Sequence, residues 1–68
     1  MTINRETLQW ALTQEAARQK ISNTRIAEAV GVSRDTVSRW KKGKGEPTFE
    51  QIQRLADLLN LAPEGFFC

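Results

Sequence analysis

Four side chains in the stretch GVSRDTVSRWKKGKG, Gly31 to Gly45, carry several hydrogen-bonding groups each: Arg34, Asp35, Ser38 and Arg39. Arginine offers a planar fork of N–H donors, ionised aspartate only accepts, and serine does both. No nucleophile with a base beside it, no Gly-rich phosphate loop and no histidine occurs in the chain, so covalent and acid–base catalysis have no candidates. What such a set can do is recognise a patterned array of donors and acceptors. Spacing decides whether the set acts together. At about 100° per residue from Arg34, the residues Arg34, Ser38, Lys42, Asp35 and Arg39 span an arc of about 140°. Val37 and Trp40 fall on the opposite side, near about 300° and 240°. A helix so patterned grips the protein with Val37 and Trp40 and presents Arg34, Asp35, Ser38 and Arg39 outward.

The elements that must hold this helix are also helices, with no Asn-Gly hairpin signal and little β-branched alternation. The first is expected from about Arg5 to about Gln19, with Asn4 as N-cap and Ile3 stapled to Leu8. Leu8, Ala11, Leu12 and Ala16 make its inner stripe; Trp10 falls off it, either covering the flank or standing exposed. Ser22 caps a second helix, Asn23 to about Val30, whose Ile26, Ala27 and Val30 share a face, and Gly31 stops it in the left-handed conformation. Val32 turns back to the core. Ser33 caps the third helix, Arg34 to Lys42, and Gly43 ends it. Thr48 and Gln51 form a capping box for a fourth helix with an inner stripe of Phe49, Ile52, Leu55, Ala56 and Leu59, and Asn60 is its left-handed stop. Pro63 opens a last short helix, PEGFF. Phe66 and Phe67 read as caps of the core or as seeds of a dimer contact.

With 68 residues the chain is one small domain, 1–68. Its single cysteine, Cys68, allows no internal disulfide and is incidental unless oxidation links two chains; without histidine a Cys/His zinc site is excluded. No metal or cofactor is expected. No apolar run approaches the roughly 20 residues of a membrane span, and the start, MTINRETLQW, is not a signal peptide. A reducing cytoplasm is the simplest compartment. Met1 reads as a native beginning; nothing marks the ending. Charge is uneven: of the net +2, the segment Arg18 to Lys44 holds eight cations and two carboxylates, +6, leaving −4 elsewhere. That asymmetry points to a polyanionic partner.

Duplex DNA fits these properties. Arginine bonds guanine O6 and N7 in bidentate fashion, aspartate accepts from cytosine N4 and serine serves either way, while a helix fits the major groove. Lys41, Lys42 and Lys44 suit phosphates.

The run NTRIAEAVGVSRDTVSRWKKG resembles the helix-turn-helix of the phage repressor and Cro-like family. Ala27 matches the small residue of the first motif helix, Gly31 the turn glycine four positions on, and Val32, Val37 and Trp40 the apolar positions after it. EPTFEQIQRLADLLNLAPEGFF matches the fourth and closing helices, so the likeness covers about Ile21 to Phe67. The resemblance implies an all-α, compact five-helix fold of the lambda-repressor type. It implies binding of double-stranded operator DNA, with Arg34, Asp35, Ser38 and Arg39 facing bases. Asn23, Thr24, Ser33, Lys41, Lys42 and Lys44 would face phosphates. Asn23 stands where many relatives carry glutamine, and Lys20 where a glycine is common. Lys41 stands where many carry a glutamate paired with a basic residue of helix one; here it either makes a reversed pair with Glu15 or is free for phosphate. A weak homodimer on a two-fold operator is expected. The alternative is a protein-interaction module, an antitoxin or a fragment of a larger regulator. No membrane or small-molecule substrate is expected.

Overall fold

Among the described residues, 2–67, four helices follow one another in the computed structural model. The first, α1, is a continuous rod in three pieces: α-helical Arg5–Trp10, π-helical Ala11–Glu15 and a closing α turn, Ala16–Arg18. Next come α2 (Asn23–Val30), α3 (Arg34–Lys41) and α4 (Phe49–Leu59). The expected fifth helix is instead a single 3-10 turn, Pro63–Phe66. Four residues that include Gly65 are too few to establish an α-helical ladder. The chain ends meet: Ile3 bridges Phe67, and the Asn4 N–H donates to the Phe66 carbonyl at 2.8 Å. Cys68 lies outside the described residues. No helix among them is long and apolar enough to cross a membrane.

Every helix starts in the same way. The side chains of Asn4, Ser22, Ser33 and Thr48 accept from the N–H groups of Thr7, Arg25, Thr36 and Gln51, and Gln51 reciprocates to complete the capping box. All four helices also end alike, on a left-handed residue followed by one whose N–H reaches back to a carbonyl of the last turn. The left-handed residues are Lys20, Gly31, Gly43 and Asn60. The back-reaching bonds run from Ile21 to Ala16, Val32 to Ala27, Lys44 to Arg39 and Leu61 to Ala56, at 2.8 to 3.0 Å. After three helices that following residue is apolar, and Ile21, Val32 and Leu61 pack against the core. After α3 it is Lys44, which is exposed.

The buried stripes match the expected ones closely. Leu8, Ala11, Leu12 and Ala16 of α1 meet Ile26, Ala27 and Val30 of α2, Val37 and Trp40 of α3, Ile52, Leu55, Ala56 and Leu59 of α4, and Phe66. Phe49 departs from its assignment to the inner stripe: it is 57 % exposed, its ring set against Phe67 with centroids 5.4 Å apart. As the first residue of α4 it lies past the end of the core, and the buried residue at the start of that helix is Pro47. Trp10 is 43 % exposed. The π stretch spans Ala11–Glu15. Within it the Ala16 N–H bonds the Ala11 carbonyl five residues back, and the Thr13 hydroxyl donates to the Gln9 carbonyl at 2.6 Å on the solvent side.

The left-handed stops are not equally comfortable. Lys20 sits at φ 59° with a Cβ that this conformation disfavours by about 1–2 kcal/mol, whereas glycine suffers no such clash. Gly31, at φ 85°, is also crowded: a Cβ there would lie 3.3 Å from the Arg54 guanidinium, which would have to shift by a few tenths of an ångström. Urea denaturation should therefore show Lys20→Gly raising stability by about 0.5–1 kcal/mol and Gly31→Ala lowering it by about 1–2 kcal/mol.

Candidate functional site

The turn joining α2 to α3 is three residues long, Gly31 to Ser33, and both helices contribute to the buried core through it. Arg54 clasps this turn from α4. Its guanidinium donates to the Val30 carbonyl at 3.4 Å and pairs with Glu50 at 2.7 Å. Val37 and Trp40 are fully or almost fully buried, at 0 % and 4 % exposure, which sets the rotation of α3 about its axis. Arg34, Asp35 and Arg39 then stand exposed, and Ser38 half-buried, on the outward side. Among the described residues none of the four side chains makes a hydrogen bond or ion pair within the chain, Asp35 with Arg39 included.

The phosphate-facing candidates lie on the same two helices and the loop after them. Thr24, Ser33, Lys42 and Lys44 are exposed, and Asn23 and Lys41 half-buried. The Ser33 hydroxyl accepts from the Thr36 N–H and lies 3.0 Å from the Thr36 hydroxyl. Whichever of the two hydroxyls donates to the other, one O–H proton remains for an outside acceptor. Thr36 was not among the sequence candidates; its position three residues after the cap is the signal that could have marked it. Lys41 makes no pair with Glu15. Its ammonium donates to the Asn23 side-chain oxygen, tying the end of α3 to the start of α2. Glu15, 5 % exposed, takes Arg18 instead, with the guanidinium on both carboxylate oxygens at 2.6 to 2.9 Å.

Cations divide by position. Arg5 pairs with Glu46 at 2.9 Å, Arg18 with Glu15 and Arg54 with Glu50. The other seven of the ten cations, Lys20, Arg25, Arg34, Arg39, Lys41, Lys42 and Lys44, meet no carboxylate among the described residues, and all lie between the end of α1 and the loop after α3. Within that stretch the only carboxylates are Glu28 and Asp35, both exposed. Among the described residues no group of acidic, cysteine or histidine side chains could hold a metal ion. Arg25 was absent from the candidates; lying outside the recognition stretch, it is exposed on α2 and belongs to the same field.

Comparison with known proteins bears on this arrangement. A family model described as helix-turn-helix matches residues 13–66, which contain α2, the turn, α3 and α4. A search of curated proteins gave no match.

Hydrogen bonding from Arg18 holds the Glu15 carboxyl below its ordinary value of 4.5, against an opposing contribution from burial. A lowered carboxylate contributes stability that is present above the unfolded-state value and is lost as pH falls through the folded-state value. Acid denaturation of Glu15→Gln should therefore lack the part of the loss below about pH 4.5 that the native protein shows.

Proposed function

The chain belongs to the helix-turn-helix family of DNA-binding transcriptional regulators, and we propose that it acts as a sequence-specific regulator of the phage Cro and repressor type, with α3 in the major groove. One observation supports this reading: seven cations without a carboxylate partner among the described residues all fall between Lys20 and Lys44, on the helix-turn-helix and its flanks, and Arg34, Asp35, Ser38 and Arg39 stand on α3 without a hydrogen bond or ion pair among those residues. Arg34 and Arg39 supply forks for guanine, Asp35 an acceptor for cytosine N4, and Ser38 either role. Asn23, Thr24, Ser33, Lys42 and Lys44 meet the DNA backbone, which gives affinity and register but no sequence information. Lys44 is held for this task by its own backbone bond to Arg39 at 2.8 Å. The working compartment on this reading is the cytoplasm.

One α3 reads only a few base pairs, so two copies on half-sites about one turn apart are needed for useful discrimination. The second copy would use the apolar groove of about 220 Å³ lined by Phe49, Gln53, Pro63, Glu64 and Phe67. Its small size suits a weak pairing completed on DNA. The same groove, with Phe49 exposed and Phe67 half-buried, favours the alternative, a protein-binding module, but that reading leaves the seven cations between Lys20 and Lys44 without a task.

Binding to duplexes selected from a random pool tests the proposal. Affinity should fall steeply with salt. Arg39→Ala should relax preference at one base position, costing about 1–3 kcal/mol there, while Lys44→Ala should weaken all sequences alike and reduce the salt slope by about 1. An unchanged preference profile in Arg39→Ala would refute base reading; no binding to any duplex at low salt would favour the protein-binding alternative.

A further inference from the structure

Lys41 and Asn23 lie 18 positions apart in sequence and meet at the junction of α3 and α2. We propose that Lys41 is a positioning residue, fixing the Asn23 amide so that its N–H donors face a DNA phosphate; this rests on the DNA-binding reading above. An ammonium has donors only, so it can engage nothing of the asparagine amide but the oxygen. With the oxygen held by Lys41, the amide NH2 group is turned away from α3. Among the described residues nothing accepts from it.

The charge of Lys41 sits in an unfavourable place for the isolated protein. Asn23 is the first residue of α2, where the helix dipole is positive and an anion is the preferred neighbour. Neither Lys41 nor Arg25, two residues after Asn23 in the first turn of α2, has a carboxylate partner among the described residues. Two like-signed influences are thus stacked at one place, an arrangement relieved by an anion brought from outside. The short reach of Asn23 makes its orientation matter: a longer side chain could search for a phosphate, whereas this one must be aimed. Lys41 is half-buried, and its hydrogen bond keeps its ammonium on the protein rather than extended toward a duplex. It serves the contact through Asn23.

The test is a double-substitution cycle on duplex binding, with a thermal melt to confirm that each variant folds. Lys41→Met and Asn23→Ala should each weaken binding about tenfold, and the pair together should also lose about tenfold rather than about a hundredfold. Lys41→Arg, which keeps donors, should retain most of the affinity. In the DNA-free protein, Lys41→Met should move the Asn23 side-chain amide resonances. Losses that multiply, or amide resonances that stay in place, would overturn the proposal and leave DNA binding itself standing. A native protein that binds no duplex would overturn both, and that outcome cannot be confused with multiplying losses.

Discussion

Burial of Val37 and Trp40 fixes the rotation of α3, and the outward display depends on that rotation. On a helix, turning the axis by the width of one residue exchanges which side chains face solvent. Two apolar anchors three positions apart remove that freedom, because a tryptophan indole and a valine cannot both leave the core without a large cost in exposed apolar area. Arg34, Asp35, Ser38 and Arg39 are therefore presented by subtraction: they occupy the only directions that the anchors leave open.

The helices themselves are held to length by chemistry at their ends. A side-chain cap at each start and a left-handed residue at each finish satisfy backbone groups that a short helix would otherwise leave unpaired. In helices of eight residues such as α2 and α3, these end groups are a large share of all backbone groups. Three of the four finishes also seal the core with an apolar residue. The exception falls after α3, where Lys44 stands in the sealing position and the nearby loop is tied to α1 by Arg5 and Glu46 instead.

Legibility followed locality. Asn4, Ser22, Ser33, Thr48, Gly31, Gly43 and Asn60 announce helix ends because capping depends on residues a few positions apart, whereas Lys20 stood out only through the family resemblance, at a place where glycine is common. Burial of Val37, Trp40, Ile26, Leu55 and Leu59 followed from periodicity. Periodicity does not say where a core ends, so Phe49 was assigned inward and lies outward. It also does not tell which of two nearby cations a carboxylate takes: Glu15 chose Arg18 one turn away over Lys41 across the interface. The π turn has no signature in apolar spacing, and the clasp of Arg54 on the Val30 carbonyl required knowing how α4 crosses the turn. Of the candidate site, the outward face of α3 was readable in full; the Ser33–Thr36 and Lys41–Asn23 partnerships were not.

Among the described residues, the outward side chains of α3 share no bond with the framework that supports them. On the proposed DNA-binding reading, fold and recognition are consequently separable under mutation. A lineage carrying this domain can exchange Arg34, Asp35, Ser38 or Arg39, and so wander toward new targets, without crossing a barrier of misfolded ancestors. The domain is built as an evolvable platform, in which a duplicated copy could acquire a different target by drift at four positions while every residue that makes it a protein stays as it was.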